Sequence, residues 1–232
     1  MGRYFMAKIT TDEVQSRVAS IVDQNESTSA ISSTDYSLRL KYMNMALLEW
    51  SEIYDWQCLY NEFNSLVSTS SANASIALPT DFRKLASYPR ITWTGTTTDE
   101  FPEVRPQEDG KYIDTDKRIF VLGNPQDGYT MRVLGVTLVS GASVKVPYYM
   151  SVQSLASPAN IAEIPNPDFL VKRTVAYLWE SREDPRFPEA KAEAEKILRN
   201  LIEMENVFSE ASTFSTVKTV DESRHGYRWG RD

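Results

Sequence analysis

Cysteine and histidine are almost absent from this chain of 232 residues, which has one of each, Cys58 and His225. A single cysteine cannot form an internal disulfide, so the fold must be held together by packing alone. We expect Cys58 to be a small buried apolar residue, because free cysteine usually is. A zinc site needs several ligands at workable spacing, and a Ser–His–Asp or Cys–His catalytic arrangement needs an ordered base. We therefore predict no metal site and no such catalytic site.

Other familiar signals are missing as well. The sequence has neither a GxGxxG nor a Walker phosphate-binding loop, and it lacks a calcium-loop motif, so we predict no cofactor. No run approaches the roughly 18 uninterrupted apolar residues of a membrane span, and the first six residues contain no apolar signal segment. We expect a soluble protein that no signal directs out of the cell and that has no membrane partner. The net charge of −7 argues against attraction of the whole protein to nucleic acid.

The N-terminal part of the chain predicts two helices. Thr10 and Glu13 have the spacing of a capping box, and an apolar stripe continues from Val14 to about Asp23. Residues 25–33 are rich in Ser and Thr without periodicity, which predicts a loop. The second helix has the clearest periodicity in the protein, and its spacing predicts a core-facing stripe. That stripe consists of Tyr36, Leu40, Met43, Leu47, Trp50 and Tyr54.

The C-terminal part predicts a helical hairpin. Asn166 can cap the first helix, with Pro167 at the first helical position and Asp168 in the first turn. Asp184 and Pro185 end that helix, and a second one runs from about residue 188 to residue 208. Two helices joined by such a short loop are expected to lie antiparallel.

Between the helices, residues 58–150 are typical of an antiparallel β region. Short runs of β-branched and aromatic residues alternate with turn signals, and no helical crossover separates them. The predicted strands are residues 59–67, 75–78, 87–93, 118–122, 130–134 and 144–149. We expect a small sandwich or barrel, with residues 94–106 as a projecting loop.

These elements predict an α+β fold in which a four-helix bundle is interrupted by a β insert. The bundle comprises residues 8–57 and 161–208, the insert residues 58–150, and a linker residues 151–160. Residues 209–232 have no apolar stripe, and we expect them to be a flexible C-terminal arm. Arg224, Tyr227, Arg228 and Trp229 are candidate docking residues of this arm, because Arg, Tyr and Trp are common at the energetic centres of protein interfaces. Deleting the arm should leave a folded protein that no longer docks.

Paired carboxylates are the one enzymatic chemistry that the composition permits. Glu100, Glu103, Glu108 and Asp109 lie close together in the β insert, and a glycosidase needs only two carboxylates about 5–10 Å apart. The alternative interpretation is that this acidic cluster is simply solvated.

Several short passages resemble the head–tail connector (adaptor or neck) proteins of tailed bacteriophages, over roughly residues 10–208. In architecture the chain is most similar to tail tubular protein A of short-tailed phages, which carries a β insert. The passages are Leu78–Phe82, Val144–Met150, Ile164–Pro165, Tyr177–Glu180 and Asp184–Arg186.

The resemblance implies a virion structural protein without enzymatic residues. It implies a homo-oligomeric ring of about twelve copies below the portal protein, which joins the head to a tail or nozzle protein and lets genomic DNA pass without specific binding. The implied location is the virion neck, after synthesis in the host bacterial cytoplasm. About twelve copies at −7 each would total about −84, and an acidic channel wall would let DNA slide without gripping it.

Two alternatives stay open. One is a virion protein that degrades cell walls through the carboxylates of the insert. The other is a monomeric β module with helical flanks that binds carbohydrate or protein.

Overall fold

The computed structural model describes residues 7–23, 32–92, 98–111, 113 and 115–225. Side chains are described as far as Asn206, except at positions 109, 110 and 163. The fold is α+β, and it divides into two compact units. The first unit combines Met1–Tyr54 with Gln153–Asp232, and the second is Asp55–Val152. The sequence placed these boundaries at residues 57/58 and 150/151.

The first unit contains all four α-helices that the structure describes. It begins with strand β1 (Ala7–Thr10), helix α1 (Thr11–Val22) and helix α2 (Ser33–Ile53). After the second unit, the chain returns through a short strand (Ile161–Ile164, β12 in the chain order), helix α3 (Pro167–Ser181) and helix α4 (Phe187–His225). Helix α3 packs against α1, α2 and α4.

Local capping signals explain where the helices start. The Thr10 hydroxyl accepts a hydrogen bond from the Glu13 amide at 3.2 Å, and the Asn166 side chain accepts one from the Asp168 amide at 2.9 Å. Each bond satisfies one of the amides that a helix N-terminus leaves unpaired, so both predicted caps are confirmed. Ser32, which follows the undescribed residues 24–31 of the predicted loop, caps α2 in the same way.

The predicted core stripe of α2 is buried in its central part. Met43 and Trp50 are fully buried and Leu47 nearly so, whereas the end positions Tyr36 and Tyr54 are half-buried. On α3 the residues that face the other helices include Phe169, Leu170, Val175 and Leu178, all buried.

The first unit is closed by an antiparallel pair of strands that the sequence did not reveal. Strand β1 pairs with β12 in the register Ala7–Ile164 to Thr10–Ile161. The amide and the hydroxyl of Thr11 both donate to the carbonyl oxygen of Asn160, which extends the contact by one residue. The predicted linker, residues 151–160, is therefore followed directly by strand β12. Four-residue strands carry too little alternation to be recognised without their partner.

The second unit consists of short antiparallel strands. They are β2 (Tyr60–Leu66), β3 (Ser71–Ala72), β4 (Ser75–Ala77), β5 (Phe82–Leu85), β6 (Arg90–Thr92), β7 (Thr98–Glu100), β8 (Arg118–Asn124), β9 (Gly128–Leu134), β10 (Thr137–Leu138) and β11 (Ser143–Met150). The largest sheet has the order β2-β11-β6-β7, with β5 also pairing with β11, and a second sheet has the order β4-β9-β8. The hairpin between β8 and β9 turns at Gly128, whose φ of +86° favours glycine.

The core of this unit is formed by apolar residues from both sheets. Ile91, Phe101, Ile119, Met131 and Val144 are fully buried there. Alternate residues of β8, β9 and β11 supply this core, and Phe120 of β8 and Leu134 of β9 are buried in a second, smaller cluster.

Three expectations differ from the structure. Residues 94–106 are not a simple projecting loop, because β7 pairs with β6 and the adjacent Phe101 is buried in the core. Cys58 is half-buried instead of buried, since Leu59 provides the buried side chain of the short 3-10 helix Gln57–Leu59. Helix α4 continues to His225 instead of ending at residue 208, because no Gly or Pro interrupts the chain before Gly226.

Asn44 gives a test of how the returning chain is held in the first unit. Its side chain donates to the carbonyl of Leu155 at 2.9 Å and accepts from the Leu155 amide at 2.7 Å. Leu155 is only 3% exposed, so Asn44→Ala leaves a buried donor and a buried acceptor unpaired. We expect a loss of about 2–3 kcal/mol in the free energy of unfolding, measured by urea denaturation and circular dichroism at 222 nm.

Ser37→Ala, at an exposed position of the same helix, is the matched control and should change stability by less than about 0.5 kcal/mol. Equal stability of Asn44→Ala and Ser37→Ala would contradict the role assigned to Asn44.

Candidate functional site

Helix α2 has a second apolar face, opposite its buried one. Met45, Leu48 and Ile53 are 41%, 51% and 50% exposed. Together with Glu49 and Glu52 they follow steps of three and four residues, which places them on one side of the helix. A helix that is apolar on both sides is usually buried on both sides, so this face is unusual for a surface.

A shallow groove runs along this face. It has a volume of about 430 Å³ and is lined by Met45, Leu48, Glu49, Glu52, Ile53 and Tyr177. Tyr177 comes from α3 and forms one wall, where its ring stacks on that of Tyr42 with centroids 5.8 Å apart. We call these six lining residues the α2 groove.

An ion pair fixes the wall of the α2 groove. Glu49 accepts two hydrogen bonds from the Arg173 guanidinium, both at 2.7 Å, and a third from the Tyr177 hydroxyl at 2.8 Å. The Arg173 guanidinium also lies over the Tyr177 ring, 4.8 Å from its centroid. A planar fork bound at two points holds both side chains in one geometry, so the groove is preformed.

The surroundings shift the pKa values of this cluster. Burial, together with the hydrogen bond to the Glu49 carboxylate, raises the pKa of the Tyr177 hydroxyl. Burial alone would lower the pKa of Arg173, but the hydrogen bonds and charge of Glu49 outweigh it and raise that pKa. Both groups therefore keep their protons at neutral pH. The cluster is a structural ion pair, and neither group is suited to donate a proton in a reaction.

Glu52 differs from Glu49, because it forms no ion pair with any residue that the structure describes. It is exposed at the edge of the groove. The groove thus offers an incoming group apolar contact from Met45, Leu48 and Ile53 and one available carboxylate. This combination suits a partner segment with apolar and cationic side chains.

The four residues predicted for docking lie beyond the side chains that the structure describes. Arg224 lies in the part of α4 beyond Asn206, where side chains are not described. Tyr227, Arg228 and Trp229 lie outside the described residues. The α2 groove was not predicted from the sequence, because its apolar residues lie between the members of the stronger, buried stripe of α2. Their own spacing, from Met45 to Leu48 and on to Ile53, is the signal that could have revealed it.

Two of the four candidate acidic residues of the β insert form separate ion pairs. Glu100 binds Arg90 at 3.1 Å, and Glu108 binds Lys111 at 3.1 Å. Partial burial raises the pKa of Glu103, while the side chain of Asp109 is not described. A raised carboxyl pKa is what a general acid needs, but a glycosidase also requires a second carboxylate facing it.

A larger cavity, of about 700 Å³, lies in the second unit. Two arginines line it. Arg118 is buried and donates to the carbonyl oxygens of Ile113 and Asp116, and Arg132 lies over the Phe120 ring at 5.7 Å. These contacts assign both guanidinium groups to the packing of the cavity wall. Glu100, Glu103 and Glu108 are not among its lining residues.

The described residues provide neither a metal-binding cluster nor a membrane-spanning helix. No three or more His, Cys, Asp or Glu side chains in that part of the chain are grouped closely enough to hold a metal ion. No helix there has the length and apolar character needed to cross a membrane. Comparison with known proteins adds no family, since no protein-family model and no curated protein matches the chain significantly.

Replacing Glu49 tests whether the ion pair builds the groove. Glu49→Gln leaves the Arg173 side chain, only 13% exposed, without its carboxylate. We expect a loss of about 1.5–3 kcal/mol in the free energy of unfolding, because hydrogen bonds to charged groups contribute that much. Urea denaturation followed by circular dichroism measures it.

Glu52→Gln is the matched control, one helical turn away on the same face, and should lie within about 0.5 kcal/mol of the unchanged protein. If both substitutions lowered the free energy of unfolding equally, the Glu49–Arg173 pair would not be what fixes the wall of the α2 groove.

Proposed function

We propose that the chain is a virion structural protein, a head–tail connector that forms a ring below the portal protein of a tailed bacteriophage and leaves a channel for DNA. In this proposal the four helices form one bundle around α3, the strands of the second unit form a sandwich or barrel, and the protein has no enzymatic activity. The resemblance of the five sequence passages supports the assignment. The uncovered apolar face of α2 is the structural observation that carries it.

The α2 face supports self-association for an energetic reason. Burying an apolar side chain completely contributes about 1.5–3 kcal/mol, and Met45, Leu48 and Ile53 are each about half exposed. Covering all three would contribute about 2–4 kcal/mol to one contact. A monomeric protein gains no stability from leaving this apolar face exposed, whereas a ring subunit covers the face on assembly.

Ring geometry adds a requirement. In a cyclic ring with more than two subunits, each contact joins two different surfaces, so that the α2 face of one subunit meets another region of the next. The negative charge of the chain fits a channel that does not grip DNA, although the same charge makes neighbouring subunits repel one another. The contact must therefore combine apolar burial with local charge complementarity.

Electron microscopy tests the proposal directly. The chain is co-expressed with the portal protein encoded in the same genome, and the purified material is imaged. We expect rings with a central opening, bound to the portal, for the unchanged chain. Leu48→Asp places a charge in the centre of the α2 face and should abolish the rings without unfolding the exposed helix surface.

Ser37→Asp, on the exposed N-terminal part of α2, is the matched control and should still assemble. A genome that contains no portal gene, or a chain that stays monomeric and unbound beside its portal, would refute the connector assignment.

The cell-wall-degrading alternative makes a different prediction. It needs carboxylates of the insert to act together, whereas Glu100 and Glu108 are paired with separate bases. We expect no clearing band from the purified chain in a peptidoglycan zymogram. A band that disappears in Glu100→Gln or Glu103→Gln would instead establish the enzymatic function.

A further inference from the structure

The α2 groove defines the chemistry of whatever covers it. Three apolar side chains form its floor, Tyr177 forms a wall, and the carboxylate of Glu52 is available at its edge. A complementary segment therefore carries an aromatic or other large apolar side chain next to a cation. Aromatic residues and arginine are the side chains that most often dominate such contacts.

The chain itself contains a segment of this kind. Residues 226–232 read Gly-Tyr-Arg-Trp-Gly-Arg-Asp, and they directly follow the end of helix α4 at His225. Tyr227 and Trp229 alternate with Arg228, and Arg231 adds a second cation. In a chain with net charge −7, these seven residues have two arginines and one aspartate. They combine large aromatic groups with positive charge, which complements the apolar floor and the carboxylate of the α2 groove.

The direction of the helices decides whether this segment can reach its own groove. Along α2 from Tyr42 to Glu49, the contacts on α3 move back from Tyr177 to Arg173, so α2 and α3 are antiparallel. Helices α3 and α4 form a tight hairpin, bridged by Lys172 and Glu193 at 2.7 Å. Helix α4 therefore runs in the same general direction as α2.

Helix α4 extends well beyond the end of α2. The Tyr54 hydroxyl, at the C-terminal end of α2, donates to the side chain of Asn206 at 2.6 Å. From Asn206 to His225 the helical rise of about 1.5 Å per residue carries the backbone about 28 Å farther away. Seven extended residues span at most about 25 Å. Residues 226–232 consequently cannot return to Met45 or Leu48 of the same copy.

We propose that residues 226–232 of one copy bind in the α2 groove of the neighbouring copy. The inference deepens the proposed function and rests on its self-association. Trp229 or Tyr227 covers Met45, Leu48 and Ile53, and an adjacent arginine pairs with Glu52. The two different surfaces that a ring contact requires are then the groove and the C-terminal segment, and helix α4 is the spacer that sets the distance between them.

Disulfide cross-linking between two copies tests this arrangement. In a Cys58→Ala background, one copy carries Leu48→Cys and the other carries Trp229→Cys. The two full-length proteins are mixed, oxidised and separated on a non-reducing gel. We expect the mixed dimer to form at least about tenfold faster than with Glu195→Cys as the partner of Trp229→Cys, since Glu195 is exposed on α4 outside the groove. Equal rates would overturn the proposal.

A double variant, Leu48→Cys with Trp229→Cys, separates contacts within one copy from contacts between copies. At high dilution we expect no intramolecular cross-link, and a cross-linked monomer would overturn the inference. A chain shortened by residues 226–232 should also lose ring formation with its portal. If the shortened chain still forms rings, the arm inference fails while the connector function stands. If the full chain binds no portal at all, the proposed function itself fails.

Discussion

The pairing of β1 with β12 is the contact on which the helical unit depends. It joins Ala7–Thr10 to Ile161–Ile164, two segments that are separated in sequence by the whole second unit. Ile9, Ala162 and Ile164 are buried at this pair, and Thr11 continues it by bonding to Asn160. Without this pairing, the start of α1 and the start of α3 would not be held together. Because α3 packs against the three other helices, the position of its N-terminus sets how the unit closes.

Closing a loop of this length has an entropic cost that rises only slowly with the number of residues. A compact, separately packed insert reduces that cost further, because the second unit has its own buried core around Ile91, Phe101 and Val144. Asn44 adds a second fastening, where its amide satisfies both backbone groups of Leu155 on the returning chain. The returning chain is thus held at two points soon after it re-enters the first unit at Gln153.

The sequence predicted those features that are determined by a few neighbouring residues. The caps at Thr10 and Asn166 depend on local chemistry, and both are present where they were expected. The missed strands are β1, β3, β5, β7, β10 and β12, since four residues or fewer form a strand only when a partner strand provides hydrogen bonds. The end of α4 was misplaced because a polar segment without Gly or Pro contains no stop signal.

The candidate site shows the same limit in another form. Periodicity identified the buried side of α2 through Met43, Leu47 and Trp50, yet an apolar pattern alone does not reveal which of two faces finds a partner within the chain. That distinction depends on where α3 lies. Glu49 marks the border, because its bonds to Arg173 and Tyr177 attach one edge of the helix to α3 and leave Leu48 and Ile53 outside the contact.

Charge explains why an arm, instead of a second broad surface, would cover the exposed face. Copies with a net charge of −7 repel each other when two large surfaces approach, but screening limits the repulsion to about 8 Å at physiological salt. In the proposed arrangement, a slender segment would bring its own positive charge, in Arg228 and Arg231, to the groove beside Glu52, and helix α4 would keep the acidic bodies of the two copies apart. Assembly through such an arm should therefore weaken as salt rises, because the attraction between Glu52 and the arginines is exposed and is itself screened.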